Sequence, residues 1–152
     1  MSNIKIYLKT ILLPLLLGGL VGIIISGSMD YEMLQQPLLA SPSWLFPIVW
    51  TILYLLMGVS YGIIKANNSD DDESRSIYYA QLVTNLIWPI FFFTFKWRLF
   101  AFFWILLLLF LVIRMVMNFY NKNKLAGILQ IPYLLWTLFA TYLNLSIYLL
   151  NR

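Results

Sequence analysis

The sequence contains no cysteine and no histidine among its 152 residues. Without cysteine there is neither a disulfide framework nor thiolate chemistry. Without histidine, the usual general base and the commonest metal ligand are missing. The apolar segments hold no pair of carboxylates, and the chain has no glycine-rich phosphate loop. Hydrolysis, phosphoryl transfer and metal catalysis therefore lack the side chains they depend on, and we predict no catalytic residue and no metal site.

Charged residues are also scarce, at 11% of the chain, whereas 62% of the residues are hydrophobic. An average soluble domain is about 45–50% apolar and about 25% charged. Together with a mean hydropathy of +0.83, this composition predicts an integral membrane protein whose first partner is the lipid bilayer. The net charge of +4 arises from basic residues at the ends of apolar runs, so it indicates membrane topology and not a nucleic-acid partner.

Five apolar segments are long enough to cross a bilayer, which takes roughly 20 residues of helix. The predicted spans cover about residues 10–29, 46–65, 77–95, 99–119 and 125–150. Short joins between them make consecutive helices antiparallel neighbours. The predicted fold is therefore an all-α membrane protein, with one domain over residues 1–152 formed by a bundle of five transmembrane helices.

The basic residues predict how the bundle is oriented. Six of them lie at one set of span ends and three at the other. Because cytoplasmic loops carry the excess of Lys and Arg, the N-terminus is predicted to be cytoplasmic. The first apolar run has no convincing cleavage site, so we expect it to remain as a span. The short chain and its basic N-terminus favour a bacterial cytoplasmic membrane.

Two pairs of glycines have the GxxxG spacing: Gly18 with Gly22, and Gly58 with Gly62. Small residues at this spacing let two helix backbones approach closely. The pattern predicts tight helix packing and, less strongly, a homodimer formed through these small-residue faces.

An acidic run occupies residues 70–73. It lacks the alternating ligand spacing and the later glutamate of a calcium-binding loop. We therefore interpret it as a solvated loop between two helices.

Three predicted spans carry polar and aromatic residues on one helical face. The three faces comprise Trp50, Tyr54 and Gly58; Gln81, Asn85 and Trp88; and Tyr133, Trp136, Ala140 and Asn144. Unpaired polar groups are costly in hydrocarbon, so such residues normally face a protein interior or a ligand. Amides that join helices and aromatic belts at the membrane surface are one interpretation. The recurrence on three helices favours the other, a large hydrophobic ligand pocket.

These motifs resemble those of the translocator protein family, also called the TspO/MBR, tryptophan-rich sensory or peripheral-type benzodiazepine receptor family. The resemblance rests on W-L-F-P-I-V-W-T-I-L-Y-L-L-M-G (44–58), Q-L-V-T-N-L-I-W (81–88) with F-F (91–92), and A-G-I-L-Q-I-P-Y-L-L-W-T-L-F-A-T-Y-L-N (126–144). It implies a five-helix bundle, often dimeric, that binds tetrapyrroles such as protoporphyrin IX and haem, and sterol- or benzodiazepine-like compounds, without a required cofactor. The resemblance thus predicts a membrane receptor or carrier with a sensory or regulatory role.

The resemblance also implies which residues bind the ligand. They are Tyr31, Leu39, Trp50, Tyr54, Asn85, Trp136, Phe139, Ala140 and Asn144. The tryptophans and the phenylalanine would stack on the ligand, and the amides with Tyr54 would hydrogen-bond to it. The first loop, residues 30–45, is expected to close over the pocket as a lid.

The first loop departs from the family pattern, which usually reads W-Y-x-x-L-x-K-P-x-W-x-P-P-x-W. Here residues 30–44 read D-Y-E-M-L-Q-Q-P-L-L-A-S-P-S-W, so Asp30 and Leu39 stand where the pattern has tryptophan. Some bacterial members are reported to degrade porphyrin in light, a reaction attributed to pocket tryptophans. Leu39 is not a photo-oxidisable indole, so a binding protein is the leading expectation. A light-dependent porphyrin-degrading enzyme, a tetrapyrrole transporter and a packing scaffold are the alternatives.

Overall fold

The computed structural model describes residues 3–152, which form helices and no strand. The helices are α1 (Asn3–Ser26), α2 (Leu45–Ala66), α3 (Asp72–Pro89), α4 (Arg98–Lys122), α5 (Lys124–Leu129) and α6 (Ile131–Asn151). A π-helical turn, Ile90–Thr94, continues α3, and α5 with α6 makes one long segment. Within the described range, five segments are long and apolar enough to cross a membrane. The predicted fold class is confirmed.

Two helices begin earlier in the chain than the predicted spans. α1 starts at Asn3 and α3 at Asp72, whereas the hydropathy pattern predicts starts near residues 10 and 77. The extra turn of α3 is polar, and the side chain of Asp71 caps it by accepting a hydrogen bond from the Ser74 backbone N–H at 2.8 Å. A capped helix end does not need to be apolar, so hydropathy underestimates its length.

Pro89 ends the regular part of α3. Proline lacks the N–H of a helical hydrogen bond and crowds the preceding turn. The chain continues in the wider π-helical turn, in which the Phe95 N–H donates to the Ile90 carbonyl at 2.9 Å. This turn places the side chains of Phe92 and Phe93 inside the bundle, where both are buried.

α1 packs closely on α2 at the second glycine pair. A Cβ atom added to Gly58 would lie 2.5 Å from the Ile11 Cα and 2.5 Å from the Thr10 carbonyl oxygen of α1. One added to Gly62 would lie 2.5 Å from the Tyr7 ring. These distances confirm the close helix approach predicted from the GxxxG spacing. The contact is made within one chain, so this glycine face already has a partner.

The acidic run ties together the ends of α2, α3 and α4. Its ion pairs are Asp70 with Lys65 and Arg75, Asp71 with Lys122, Asp72 with Arg75, and Glu73 with Arg114. The hydrogen bond from Lys122, followed by the one from the Ser74 backbone, lowers the pKa of Asp71 to about 2. The carboxylate is therefore charged at neutral pH. Most of these side chains are exposed to solvent, and such pairs each contribute little stability.

Candidate ligand-binding site

A cavity of about 600 Å³ lies between α1, α2, α3, the π-helical turn and α6. It occupies the half of the bundle in which α1 ends and α2 begins. The first loop, predicted over residues 30–45, covers residues 27–44 in the structure, and its Met29 and Tyr31 lie in the cavity wall. The eight aromatic side chains of the wall are Tyr31, Phe46, Trp50, Tyr54, Trp88, Phe92, Phe93 and Trp136. Ligand pockets have volumes of about 300–1,000 Å³ and mostly apolar walls. The cavity therefore has the size and surface of a pocket for a large hydrophobic molecule.

Seven of the nine residues that the sequence implicates in binding line this cavity. They are Tyr31, Trp50, Tyr54, Asn85, Trp136, Ala140 and Asn144. The first loop, α2, α3 and α6 each contribute to this group. The helical spacing of three and four residues keeps each helix's contributors on one face, and the antiparallel packing turns those faces toward one another.

The structure does not bring the other two residues, Leu39 and Phe139, to the cavity wall. Leu39 is 80% exposed, at a left-handed backbone position with φ of 70°, so it projects from the loop into solvent. Phe139 lies at the edge of the face formed by Trp136 and Ala140. Its ring centroid is 5.2 Å from that of Trp136, so it contacts the tryptophan outside the cavity wall.

A one-directional chain of hydrogen bonds runs from the cavity into the bundle. The Tyr54 hydroxyl donates to Asn85 Oδ1 at 2.6 Å, and Asn85 Nδ2 donates to the Tyr133 hydroxyl at 2.7 Å. Tyr133 donates to Gln81 Oε1 at 2.8 Å, and Gln81 Nε2 donates to the Met57 sulfur at 3.4 Å. Such chains are mutually strengthening in a low-dielectric interior. Protein groups thus already use both polar atoms of the Asn85 side chain.

Asn144 joins a second set of groups. Its Oδ1 accepts a hydrogen bond from Trp88 Nε1 at 2.9 Å, and its Nδ2 donates to the Arg98 carbonyl at 2.8 Å. The side chain therefore links α6 to α3 and to the start of α4. The amides of Asn85 and Asn144 thus hold the aromatic side chains of the wall in place. That they also bind the ligand remains a prediction.

The aromatic rings of the wall support one another. The Tyr31 and Phe46 centroids lie 4.9 Å apart, edge to face, and those of Phe46 and Trp136 lie 6.0 Å apart in the same manner. Trp50 lies 5.8 Å from Tyr54. Burial raises the pKa of Tyr31, so its hydroxyl stays neutral and donates to the Ser41 carbonyl at 2.8 Å. Edge-to-face pairs of this kind fix ring orientation.

α1 also contributes to the cavity wall, which the sequence pattern does not predict. Gly18, Gly19 and Gly22 line the cavity. Gly18 also packs closely, as its GxxxG spacing predicts, because a Cβ atom there would lie 2.3 Å from the Tyr54 ring. A Cβ atom at Gly19 or Gly22 would meet no atom of the described residues within 4 Å. Trp88 was also left out of the implied set, even though it lies on the same helical face as Gln81 and Asn85.

Replacing Asn85 by leucine is expected to destabilise the protein by about 1–3 kcal/mol. The Tyr54 hydroxyl loses its acceptor and the Tyr133 hydroxyl loses a donor, both in a buried setting. Thermal unfolding in detergent, followed by circular dichroism, measures the effect. Asn121→Leu on the exposed surface of α4 is the matched control, and such surface changes usually stay within about 0.5 kcal/mol. Equal melting of the two variants would contradict a stabilising role for the network.

Comparison with known proteins matches residues 10–150 to the TspO/MBR family. "Tryptophan-rich protein TspO" of Archaeoglobus fulgidus is 37% identical over 122 residues, which are 80% of this chain and 79% of that protein. "Protein CrtK" of Rhodobacter capsulatus is 31% identical over 138 residues, 88% and 86% of the two chains. "Translocator protein" of Homo sapiens is 31% identical over 122 residues, 78% and 72%. The family match spans every residue that lines the cavity.

Proposed function

We propose that this chain, which belongs to the TspO/MBR family, is a membrane receptor or carrier for hydrophobic tetrapyrroles such as protoporphyrin IX, with a sensory or regulatory role. The observation that carries the proposal is a cavity of about 600 Å³ with eight aromatic side chains in its wall. It lies inside a bundle of five segments apolar enough to span a membrane. A flat, apolar ring system would contact the faces and edges of these side chains.

The residues of the cavity favour a metal-free tetrapyrrole over haem. Haem iron is usually held by histidine, by a cysteine thiolate or by methionine with histidine, and the chain has no histidine or cysteine. Among the lining residues, Met29 and the tyrosines are weaker partners. Ring contacts would therefore supply the affinity. Sterol- or benzodiazepine-like compounds make a similar demand for apolar surface, and they belong to the proposed ligand range.

Light-dependent porphyrin degradation is the second candidate, and one observation favours retaining it. Three indoles, those of Trp50, Trp88 and Trp136, line the cavity. Leu39 lies in solvent, away from that wall, so the leucine at this position does not remove an indole from the cavity. The sensory role is proposed on a different ground, the similarity to the "Tryptophan-rich sensory protein" of Cereibacter sphaeroides, which is 32% identical over 121 residues.

We also propose that the protein lies in a bacterial cytoplasmic membrane, because the chain is short and its N-terminus basic. The N-terminus would be inside, because more basic residues lie at that end of the bundle than at the other. A homodimer also belongs to the proposal. Because α1 fills the face of Gly58 and Gly62 within the chain, such a dimer would have to use another surface.

Replacing Trp50 by alanine is expected to weaken protoporphyrin IX binding at least about tenfold, because large aromatic anchors in a pocket carry most of the binding energy. The measurement is a titration in the dark, read from the porphyrin absorbance of detergent-purified protein. Trp97→Ala is the matched control, since Trp97 is 54% exposed and lies outside the cavity. Its affinity should equal that of the unsubstituted protein.

The same samples are then illuminated. Light-driven loss of porphyrin absorbance with formation of a product, abolished in Trp50→Ala, would support the enzyme. Stable absorbance would support the receptor or carrier. The absence of saturable binding, or an equal affinity in the Trp50 and Trp97 variants, would overturn the tetrapyrrole assignment.

A further inference from the structure

We propose that the ion pair between Asp30 and Arg98 is a positioning pair, which holds the first loop closed over the cavity and so controls how fast a ligand gains access. The inference rests on the proposed function, because it takes the cavity to be the ligand site. Neither residue lines the cavity. Their effect would be exerted through the residues beside them.

The pair is short and largely withdrawn from solvent. Arg98 Nη2 lies 2.6 Å from Asp30 Oδ1, and the two side chains are 12% and 20% exposed. The guanidinium also lies over the Phe92 ring, 5.1 Å from its centroid, which restricts the arginine further. Lys96, which is 52% exposed, approaches Asp30 Oδ2 only to 3.9 Å. Charge-assisted hydrogen bonds in such a setting are stronger than those of exposed pairs.

Asp30 lies in the part of the first loop that borders the cavity, so a contact at Asp30 can hold that part of the loop in place. Its two neighbours, Met29 and Tyr31, both line the cavity. Tyr31 is 2% exposed and donates to the Ser41 carbonyl across the loop. The ion pair at Asp30 therefore fixes the part of the loop that lines the cavity. Through the hydrogen bond of Tyr31 it also fixes the end of the loop near Ser41.

Arg98 connects the ion pair with Asp30 to the wall of the cavity. It is the first residue of α4, and its carbonyl accepts the hydrogen bond of Asn144 Nδ2 at 2.8 Å. Asn144 in turn accepts from Trp88. The first loop and the cavity wall are thus joined at Arg98. Loss of its ion pair with Asp30 would release the loop, whereas the hydrogen bonds of Asn144 in the wall would remain.

Near the start of the loop, Ser28 Oγ lies 3.4 Å from Thr94 Oγ1, whereas the contacts of the middle of the loop with α6 are exposed to solvent. The Gln35 backbone exchanges two hydrogen bonds of 2.9 Å with the Asn151 side chain, and the Tyr142 hydroxyl donates to the Leu38 carbonyl. Water competes for exposed hydrogen bonds, and their net contribution is small. Met33 and Leu38 are 89% and 84% exposed, so the middle of the loop has little packing to hold it. The partly buried, charge-assisted contact between Asp30 and Arg98 is therefore the one that we expect to limit opening.

The absence of cysteine allows a direct test of loop opening that needs no ligand. Ala140 lines the cavity and is 5% exposed, so Ala140→Cys places a single thiol inside it. In proteoliposomes, the labelling rate with a charged, water-soluble methanethiosulfonate reagent reports access from water. Adding Asp30→Asn is expected to raise that rate about tenfold. Asp72→Asn is the matched control, an exposed carboxylate near the other end of the bundle, and should leave the rate unchanged.

Two further measurements separate positioning from a general loss of stability. Asp30→Glu keeps the charge and should restore slow labelling. In protoporphyrin IX binding, Asp30→Asn should raise the association and dissociation rates together, about tenfold each, and change Kd by less than about threefold. A merely structural defect would instead lower the melting temperature and weaken Kd.

The outcomes distinguish this inference from the proposed function. Equal labelling of Ala140→Cys with and without Asp30→Asn overturns the positioning role, as does equal acceleration by Asp72→Asn. Faster labelling without saturable protoporphyrin IX binding supports the positioning role and overturns the proposed ligand. Faster labelling together with the paired rate change supports both.

Discussion

Replacing Gly58 by alanine adds only one methyl group, yet it is expected to destabilise the protein by about 1–3 kcal/mol. The new Cβ would lie 2.5 Å from the Ile11 Cα and 2.5 Å from the Thr10 carbonyl oxygen. Both are backbone atoms of α1 and cannot rotate away, so α1 and α2 must separate locally. Overpacking of this kind typically costs more than the roughly 1 kcal/mol that alanine gains over glycine in a helix. Thermal unfolding in one detergent, followed by circular dichroism, measures the loss.

Gly19→Ala is the control for this experiment, because Gly19 also lies within a membrane helix. A Cβ there meets no atom of the described residues within 4 Å. Its melting temperature should equal or exceed that of the unsubstituted protein, since only the helix propensity changes. Indistinguishable melting of the Gly58 and Gly19 variants would show that the close α1–α2 contact does not contribute to stability.

Replacing Gly22 by leucine is expected to weaken protoporphyrin IX binding by at least about tenfold while leaving the fold intact. Gly22 lines the cavity, and its Cβ position has no described atom within 4 Å. A leucine Cβ would therefore meet no neighbouring atom, and we expect the rest of the side chain to take up space in the pocket. Leucine is also a better helix former than glycine, so the melting temperature should not fall. Absorbance titration and circular dichroism on the same preparation check both statements.

Gly27→Leu is the matched control for the blocked cavity. Gly27 likewise has open space at its Cβ position, but it does not line the cavity. Its affinity should stay at the unsubstituted value. Unchanged protoporphyrin IX affinity in Gly22→Leu would show that the ligand binds somewhere other than this cavity.

Much of the fold and of the candidate site follows from local sequence properties. Hydropathy depends on composition over about 20 residues, so it predicts the five membrane-spanning segments that the structure contains. Helical spacing places Trp50 with Tyr54, and Trp136 with Ala140 and Asn144, on single faces. These faces do line the cavity. The family resemblance, confirmed by the match over residues 10–150, added Tyr31, which no periodicity could have identified in a loop.

Other features depend on neighbours that are distant in the sequence. The backbone turns Leu39 outward at a left-handed position, and loop conformation of this kind has no periodic signal. Phe139 lies beside Trp136 and outside the cavity wall, and the helical spacing of α6 alone does not exclude it from that wall. The first turn of α3 extends beyond the apolar pattern, since the Asp71 cap and the ion pairs of its first turn, and not hydropathy, determine where that helix begins.

The sequence by itself determined that this chain is a five-span membrane protein of the TspO/MBR family with three polar-aromatic helix faces. Only the tertiary structure decided how equivalent motifs differ. The two GxxxG pairs look alike in the sequence, yet Gly58 is packed against the α1 backbone and Gly22 opens onto the cavity. The amides of Asn85 and Asn144 likewise take partners from other helices. Composition and periodicity are properties of one segment, whereas packing and hydrogen bonding depend on which segments meet.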